Sequence, residues 1–376
     1  MKVGSFKDGS IKLVGILFTL SLFVMGGIGC GDRDEADPPV VNDLSPHAPV
    51  PKTVLATIPV GDEPWDIVVA PDGGHVYVAN SNDGTISVIN TEDNSVFTTE
   101  PIVKNRQGKN GIAITPDGKY VYVTSNGNNA LYILNTETNT VVTDDVGNPI
   151  KVNVGDQPLS LAITPDGNRI YVANYLSNTV SVIEITDHIT HTVIDEISVG
   201  NAPYDLAITS DGQYVYVVNR IANEKDEALP DTVTIIQTLD NTVIQTVTVG
   251  NSPRDIAVGQ DKAYVVNYID DNVSVIDMAD YTVSTIGKKT SEDTLGIGNT
   301  PMGVALTPDE LYLYVANESG ALGHTLTVVE TESSIVIGEI ELEDDTTFPH
   351  SIAIKPDGNF VYVTDYQNDS VIVIGF

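Results

Sequence analysis

Seven copies of one motif, spaced 45 to 50 residues apart, constrain this chain more than any other feature. The copies are marked by Asp72, Asp117, Asp166, Asp211, Asp261, Asp309 and Asp357, each in a turn that follows a short apolar run such as Leu161-Ala162-Ile163. A fixed period in this range signals an array of small units that bury their faces against one another. Pro-Asp-Gly suits a tight turn: Pro presets φ, Asp bonds its own backbone and Gly accepts positive φ. A strand ending in Tyr-Val follows, as at Tyr171-Val172, and a small polar residue such as Asn174 closes it. A third run (Val180–Ile183) and a fourth (Val193–Val199) complete the unit.

Four short strands per unit predict an all-β, seven-bladed β-propeller with four antiparallel strands in each blade. The middle of the first strand agrees. Six of the seven equivalent positions are Ala (113, 162, 207, 257, 305, 353) and the seventh is Val68. Ala is depleted from strands in general, but a small side chain fits where inner strands crowd around an axis. The last copy ends at Phe376 without a fourth strand, whereas Thr53–Gly61 has the pattern of a fourth strand with no first three before it. Pairing the two ends closes the ring and removes its open edge.

The motif V-G-x-x-P, I-A-x-x-P-D-G, Y-V-x-N, T-V-S-V-I resembles the YVTN-type propeller repeats of bacterial and archaeal surface and periplasmic proteins. Blade 3 carries it almost whole, from Val154-Gly155 and Pro158 through Asp166-Gly167 and Asn174 to Thr179–Ile183. The resemblance covers Thr53 to Phe376. It implies the fold strongly and the function weakly, because similar propellers serve as adhesion modules, as lactonases and in cofactor-bearing redox enzymes. Blade 2 departs from it, with Arg106–Asn110 in place of V-G-x-x-P. Blade 5 has Gln260-Asp261-Lys262, and blade 6 has Pro308-Asp309-Glu310, in place of P-D-G.

Ahead of the array, residues 1–29 read as a signal peptide. Lys2, Lys7 and Lys12 precede an apolar run, Leu13–Val24, too short to span a bilayer. Small residues then lead to Cys30, the only cysteine. That pattern resembles a bacterial lipoprotein site, so Cys30 is expected to be lipidated; ordinary secretion is the alternative. Residues 30–52, with five acidic residues and five prolines, read as an extended tether that cannot build a core. The expected location is therefore exported and lipid-anchored, with membrane contact only through the anchor.

The chain carries 18 basic and 52 acidic residues, a net charge of −34. Such a surface repels nucleic acid and anionic membranes. A monomer is expected.

Function in a propeller sits on loops around the channel mouth. The residues just before each first strand are Trp65, Asn110, Leu159, Tyr204, Arg254, Met302 and His350; the next ring is Asp66, Gly111, Ser160, Asp205, Asp255, Gly303 and Ser351. After each second strand come Ser81, Asn126, Tyr175, Arg220, Tyr268, Glu318 and Tyr366. Aromatic residues with Arg are the types that carry binding energy. Trp65, Tyr204, Arg254, His350, Tyr175, Arg220, Tyr268 and Tyr366 are therefore the candidate ligand-binding residues. The longer loops Arg220–Asp231 and Glu318–Thr325 project on the same face. Asp66, Asp205 and Asp255 are weak candidates for a divalent cation, since capping of the turn before strand a is the favoured account of them. His188 and His191 lie together near an outer turn, where an incidental pair is the simpler account.

No catalytic residue stands out. A non-catalytic module that binds a surface protein, glycan or small ligand, with no cofactor, is the first expectation. A metal-dependent lactonase-like hydrolase using Asp66, Asp205, Asp255 or Glu318, or a redox propeller with His350 as ligand, is the alternative.

Overall fold

The computed structural model describes residues 52–102, 110–187, 189–221, 230–287, 296–319, 324–342 and 347–376. The expected signal peptide, Cys30, most of the tether, His47 and His188 lie outside them, as do parts of the two longer loops.

Seven antiparallel sheets form in chain order. Blade 4 is typical, with strands a to d at Pro203–Ile208, Tyr214–Asn219, Thr232–Gln237 and Thr242–Thr248. The ring closes between its ends. Thr53–Pro59 pairs antiparallel with Ser370–Gly375, so the N-terminal strand is the outer strand of blade 7. In blade 2 the outer strand is interrupted: Thr140–Val141 and Lys151–Asn153 both pair with Ala130–Asn135. Helix is confined, among the described residues, to one 3-10 turn at Asn126–Asn128.

There is no single core. Seven apolar clusters each lie between neighbouring blades. The Ala of each first strand packs into the cluster shared with the following blade, as Ala207 does with Ile256 and Val265. The strand-b tyrosines Tyr122, Tyr171, Tyr216, Tyr314 and Tyr362 are among the largest fully buried side chains.

The turns follow the residues present. Gly73, Gly118, Gly167, Gly212 and Gly358 take φ of 70 to 73°, while in blade 6 Glu310 occupies that position at φ 58°. Blade 5 shortens the turn, closing it with Gly259 N–H to the Lys262 carbonyl at 2.9 Å.

The two conserved-looking ends of the repeat unit meet in space. In V-G-x-x-P the Gly lies against the Asn that ends strand b: a Cβ on Gly200 would fall 2.6 Å from Asn219 Cγ, and the same holds for Gly155 with Asn174, Gly250 with Asn267 and Gly298 with Asn317. Blades 2 and 7 lack that Gly, and both also lack the Asn, having Ser125 and Asp365. The two positions therefore change together within one chain.

Candidate site at the channel mouth

The same V-G-x-x-P segment aims the side chains of the mouth. Strand a begins at the Pro in blades 1, 3, 4, 5 and 7 and two residues before it, at Asn299, in blade 6, and the pairing register skips immediately after the Pro. The skipped residues are Trp65, Leu159, Tyr204, Arg254 and Met302 in blades 1, 3, 4, 5 and 6. In blade 7 the skip spans His350 and Ser351. A β-bulge re-aims its extra residue, and here it turns each one towards the axis. The residues before the Pro (Glu63, Gln157, Ala202, Ser252 and Thr300) hold left-handed backbone at φ of 45 to 56°. That conformation is costly for non-Gly side chains, so the bulge is held by its surroundings.

Trp65, Tyr204, Arg254, Met302, Leu159 and His350 wall a small cavity of about 50 Å³, floored by Asp66, Ser160, Asp205, Asp255 and Ser351. Its two sides differ. Across blades 7 and 1, the His350 ring lies 3.7 Å from Trp65 between centroids, and His350 Nδ1 donates to the Trp65 carbonyl at 2.8 Å. Tyr366 meets Trp65 edge-on at 5.6 Å. Burial, then a hydrogen bond with Glu63, pushes the Tyr366 hydroxyl up to about 12.

Across blades 4 and 5, Arg254 Nη1 donates to Tyr204 Oη at 3.0 Å, and its guanidinium stacks 4.4 Å over Tyr268. Arg220 also lies over the Tyr204 ring, 5.3 Å from its centroid, and Tyr175 packs edge-on against the same ring. Burial raises the Tyr204 hydroxyl, opposed by Arg254. Tyr268 is raised by burial and then by the charge of nearby Glu318.

The floor is a belt between blades. Asp66 accepts from Ile112 N–H of blade 2 at 2.9 Å, Asp205 from Ile256 N–H of blade 5 at 3.1 Å, and Asp255 from Val304 N–H of blade 6 at 2.8 Å. Ser160 Oγ donates to Asp205 at 2.6 Å, and Ser351 Oγ to Asp66 at 2.9 Å. Between blades 2 and 3, Thr124 Oγ1 donates to the Leu159 carbonyl at 3.1 Å. Between blades 6 and 7 the backbones approach directly: a Cβ on Gly303 would overlap the His350 carbonyl. Asp66 and Asp255 also cap their own strand, accepting from Ile67 and Ile256 N–H.

These three carboxyls touch the channel but have protein on every other side. Burial lifts Asp66 to about 6. Burial also raises Asp205, and it raises Asp255 furthest because the Asp205 carboxylate is its neighbour. Of the two, Asp255 is the one that holds a proton more readily. Among the described residues no group of three or more His, Cys, Asp or Glu side chains is placed to hold a metal ion.

Residues 52–202 and 242–376 match the family profile described as lactonase, seven-bladed β-propeller. The chain belongs to that family. Among solved structures, this lactonase-family propeller is similar to Kuenenia stuttgartiensis hydrazine synthase, with a TM-score of 0.70 at 18% identity over 84% of this chain and 96% of that chain. At that identity the likeness shows the fold alone. No curated protein sequence matches the chain.

Of the eight candidate ligand residues in this lactonase-family propeller, Trp65, Tyr204, Arg254 and His350 line the cavity itself. Tyr175, Arg220, Tyr268 and Tyr366 stand behind or beside them through ring contacts. His191 lies elsewhere, bonded through Nε2 to Tyr122 Oη at 2.8 Å. Sequence reasoning missed the bonding role of Ser160, Ser351 and Thr124. The repeat register already put the first two beside the Asp positions, and that was the available signal. No helix among the described residues is long and apolar enough to cross a membrane.

Proposed function

We propose that this propeller binds a small anionic, ring-bearing molecule at the channel mouth, without chemistry of its own and without a cofactor. The observation that carries this reading is the state of Arg254. In a chain of net charge −34, its guanidinium is stacked on Tyr268 and bonded to Tyr204, and among the described residues it forms no salt bridge. Its Nε is buried with no partner. A fixed, planar cation in a cavity suits a carboxylate. Trp65 across the same cavity offers a flat apolar face, as a sugar ring or a small aromatic ring requires. A sugar acid is the simplest molecule with both features. A glycan or surface protein bearing such a group is the larger version of the same ligand. The YVTN-like repeats, the export signal and a lipid on Cys30 belong to this reading: a monomer held outside the cell membrane, with an acidic surface that disfavours nucleic acid.

Lactone hydrolysis is the second reading, and family membership favours it. Asp66, raised to about 6, would be the channel carboxyl best placed to take a proton from water near neutral pH. Against it, Asp66 already accepts from Ile67, Ile112 and Ser351. A cation among Asp66, Asp205 and Asp255 is weaker still, since all three spend lone pairs on blade-to-blade bonds.

Titration calorimetry with gluconate and glucuronate, together with a pH-stat assay of gluconolactone opening, tests both readings. Carboxylate binding lost in Arg254→Gln, with ring opening at the spontaneous rate, supports binding. Ring opening above that rate, lost in the same variant, moves the assignment to hydrolysis. Absence of binding by any carboxylate, or binding indifferent to Arg254, overturns the anion site.

A further inference from the structure

The turn joining strands b and c occupies the same place in every blade, yet its residues change character around the ring. Blades 1 and 2 have Ser81-Asn82 and Asn126-Gly127, blade 6 begins with Glu318, and blade 7 has Tyr366-Gln367. Three adjacent blades differ: Tyr175-Leu176, Arg220-Ile221 and Tyr268-Ile269. Each of these pairs a ring or guanidinium with a large aliphatic residue. Leu176 is 56% exposed and Ile269 is 50% exposed. The other large exposed apolar side chains among the described residues lie on outer strands, c–d turns, the loop that interrupts the outer strand of blade 2 and the C-terminus.

Tyr175 leans on Tyr204, and Tyr268 lies under Arg254. The two exposed aliphatic side chains are thus each one residue from a ring that contacts the Tyr204–Arg254 pair. An apolar arc beside a cationic centre is complementary to an anion that also carries an apolar portion. On the basis that the mouth binds an anionic, ring-bearing molecule, we infer that its ligand also carries an apolar extension: a free carboxylate with an alkyl or aryl tail, its head at Arg254 and Tyr204 and its tail along Tyr175, Leu176 and Ile269. The arc is confined to blades 3 to 5, so the tail leaves the cavity on one side, opposite the Trp65–His350 pair. The ligand is a soluble monomeric anion: the acidic domain surface repels an anionic bilayer, and the cavity holds one small head group.

The experiment is a chain-length series of acetate, hexanoate and decanoate, each below its micelle concentration, titrated calorimetrically into the propeller. Affinity is expected to rise about twofold per methylene, which is partial burial on a scale where complete burial gives more. Each protein is judged by its own decanoate-to-acetate ratio. In Leu176→Ser/Ile269→Ser, with its melting profile retained, that ratio is expected to collapse towards one. In Arg254→Gln, affinity for all three is expected to fall. A ratio near one in the wild-type protein, or a high ratio that survives the Leu176→Ser/Ile269→Ser change, overturns the tail site. If acetate or gluconate still binds through Arg254 in that case, the anion site stands without it. Failure of every carboxylate to bind overturns both.

Discussion

Asp205 and Asp255 occupy the same position in adjacent blades; burial raises both carboxyls, and the neighbouring Asp205 charge raises Asp255 further. Two carboxylates side by side repel, so the folded ring retains a proton that the unfolded chain gives up near pH 4. A carboxyl whose folded pKa is raised contributes its full stability below the unfolded pKa and loses it as pH rises through the folded one. Asp66, raised to about 6, adds to this trend between about pH 4 and 6, and the pair extends it further. In Asp255→Asn a neutral amide stands in for the protonated carboxyl at every pH, at the cost of one acceptor for Val304 or Ile256 N–H. The variant is therefore expected to melt below wild type by about 1 kcal/mol equivalent in mild acid, with the gap closing as pH rises. Melting curves by circular dichroism from about pH 5 to about pH 9 check this. Parallel curves for the two proteins would refute the retained proton.

The contact of Gly200 with Asn219 predicts a sharp contrast between glycines. Gly200→Ala forces a Cβ into the Asn219 amide and is expected to cost about 1–3 kcal/mol. Gly338→Ala, with nothing within 4 Å and no positive φ, is expected to be neutral or slightly stabilising. Urea unfolding midpoints of the two variants measure the difference.

Closure of the ring rests on one strand from each end. Ile58 is 4% exposed in the cluster between blades 7 and 1, whereas Leu55 on the same strand is 49% exposed. Ile58→Ala is expected to cost about 2–4 kcal/mol and Leu55→Ser under about 0.5 kcal/mol. Equal losses in a thermal melt would mean that the strand does not seal the ring as described.

Arg254 acts through its plane as well as its charge. Arg254→Lys keeps the charge but cannot stack flat on Tyr268 while donating to Tyr204. Carboxylate affinity is expected to fall about tenfold, a loss of roughly 1.4 kcal/mol, with little change in melting temperature. Affinity within twofold of wild type would make the site a simple point charge.

By itself the sequence determined the ring: seven units from the spacing of the Asp turns, four strands from the alternating runs, and closure from the fourth-strand pattern of Thr53–Gly61. Those properties are local and repeated, so each copy reports on the others. It also named the residues of the mouth, because one register position in every blade faces the axis. Only the tertiary structure decided what those residues do to one another. Trp65 and His350 are 285 residues apart and become neighbours when blade 7 meets blade 1. The bulge that turns Arg254 inwards, the Ser–Asp belt across the blades and the proton retained at Asp255 beside Asp205 all depend on distances between separate sheets. Such distances are fixed by packing around a closed ring, and no segment of the chain encodes them alone.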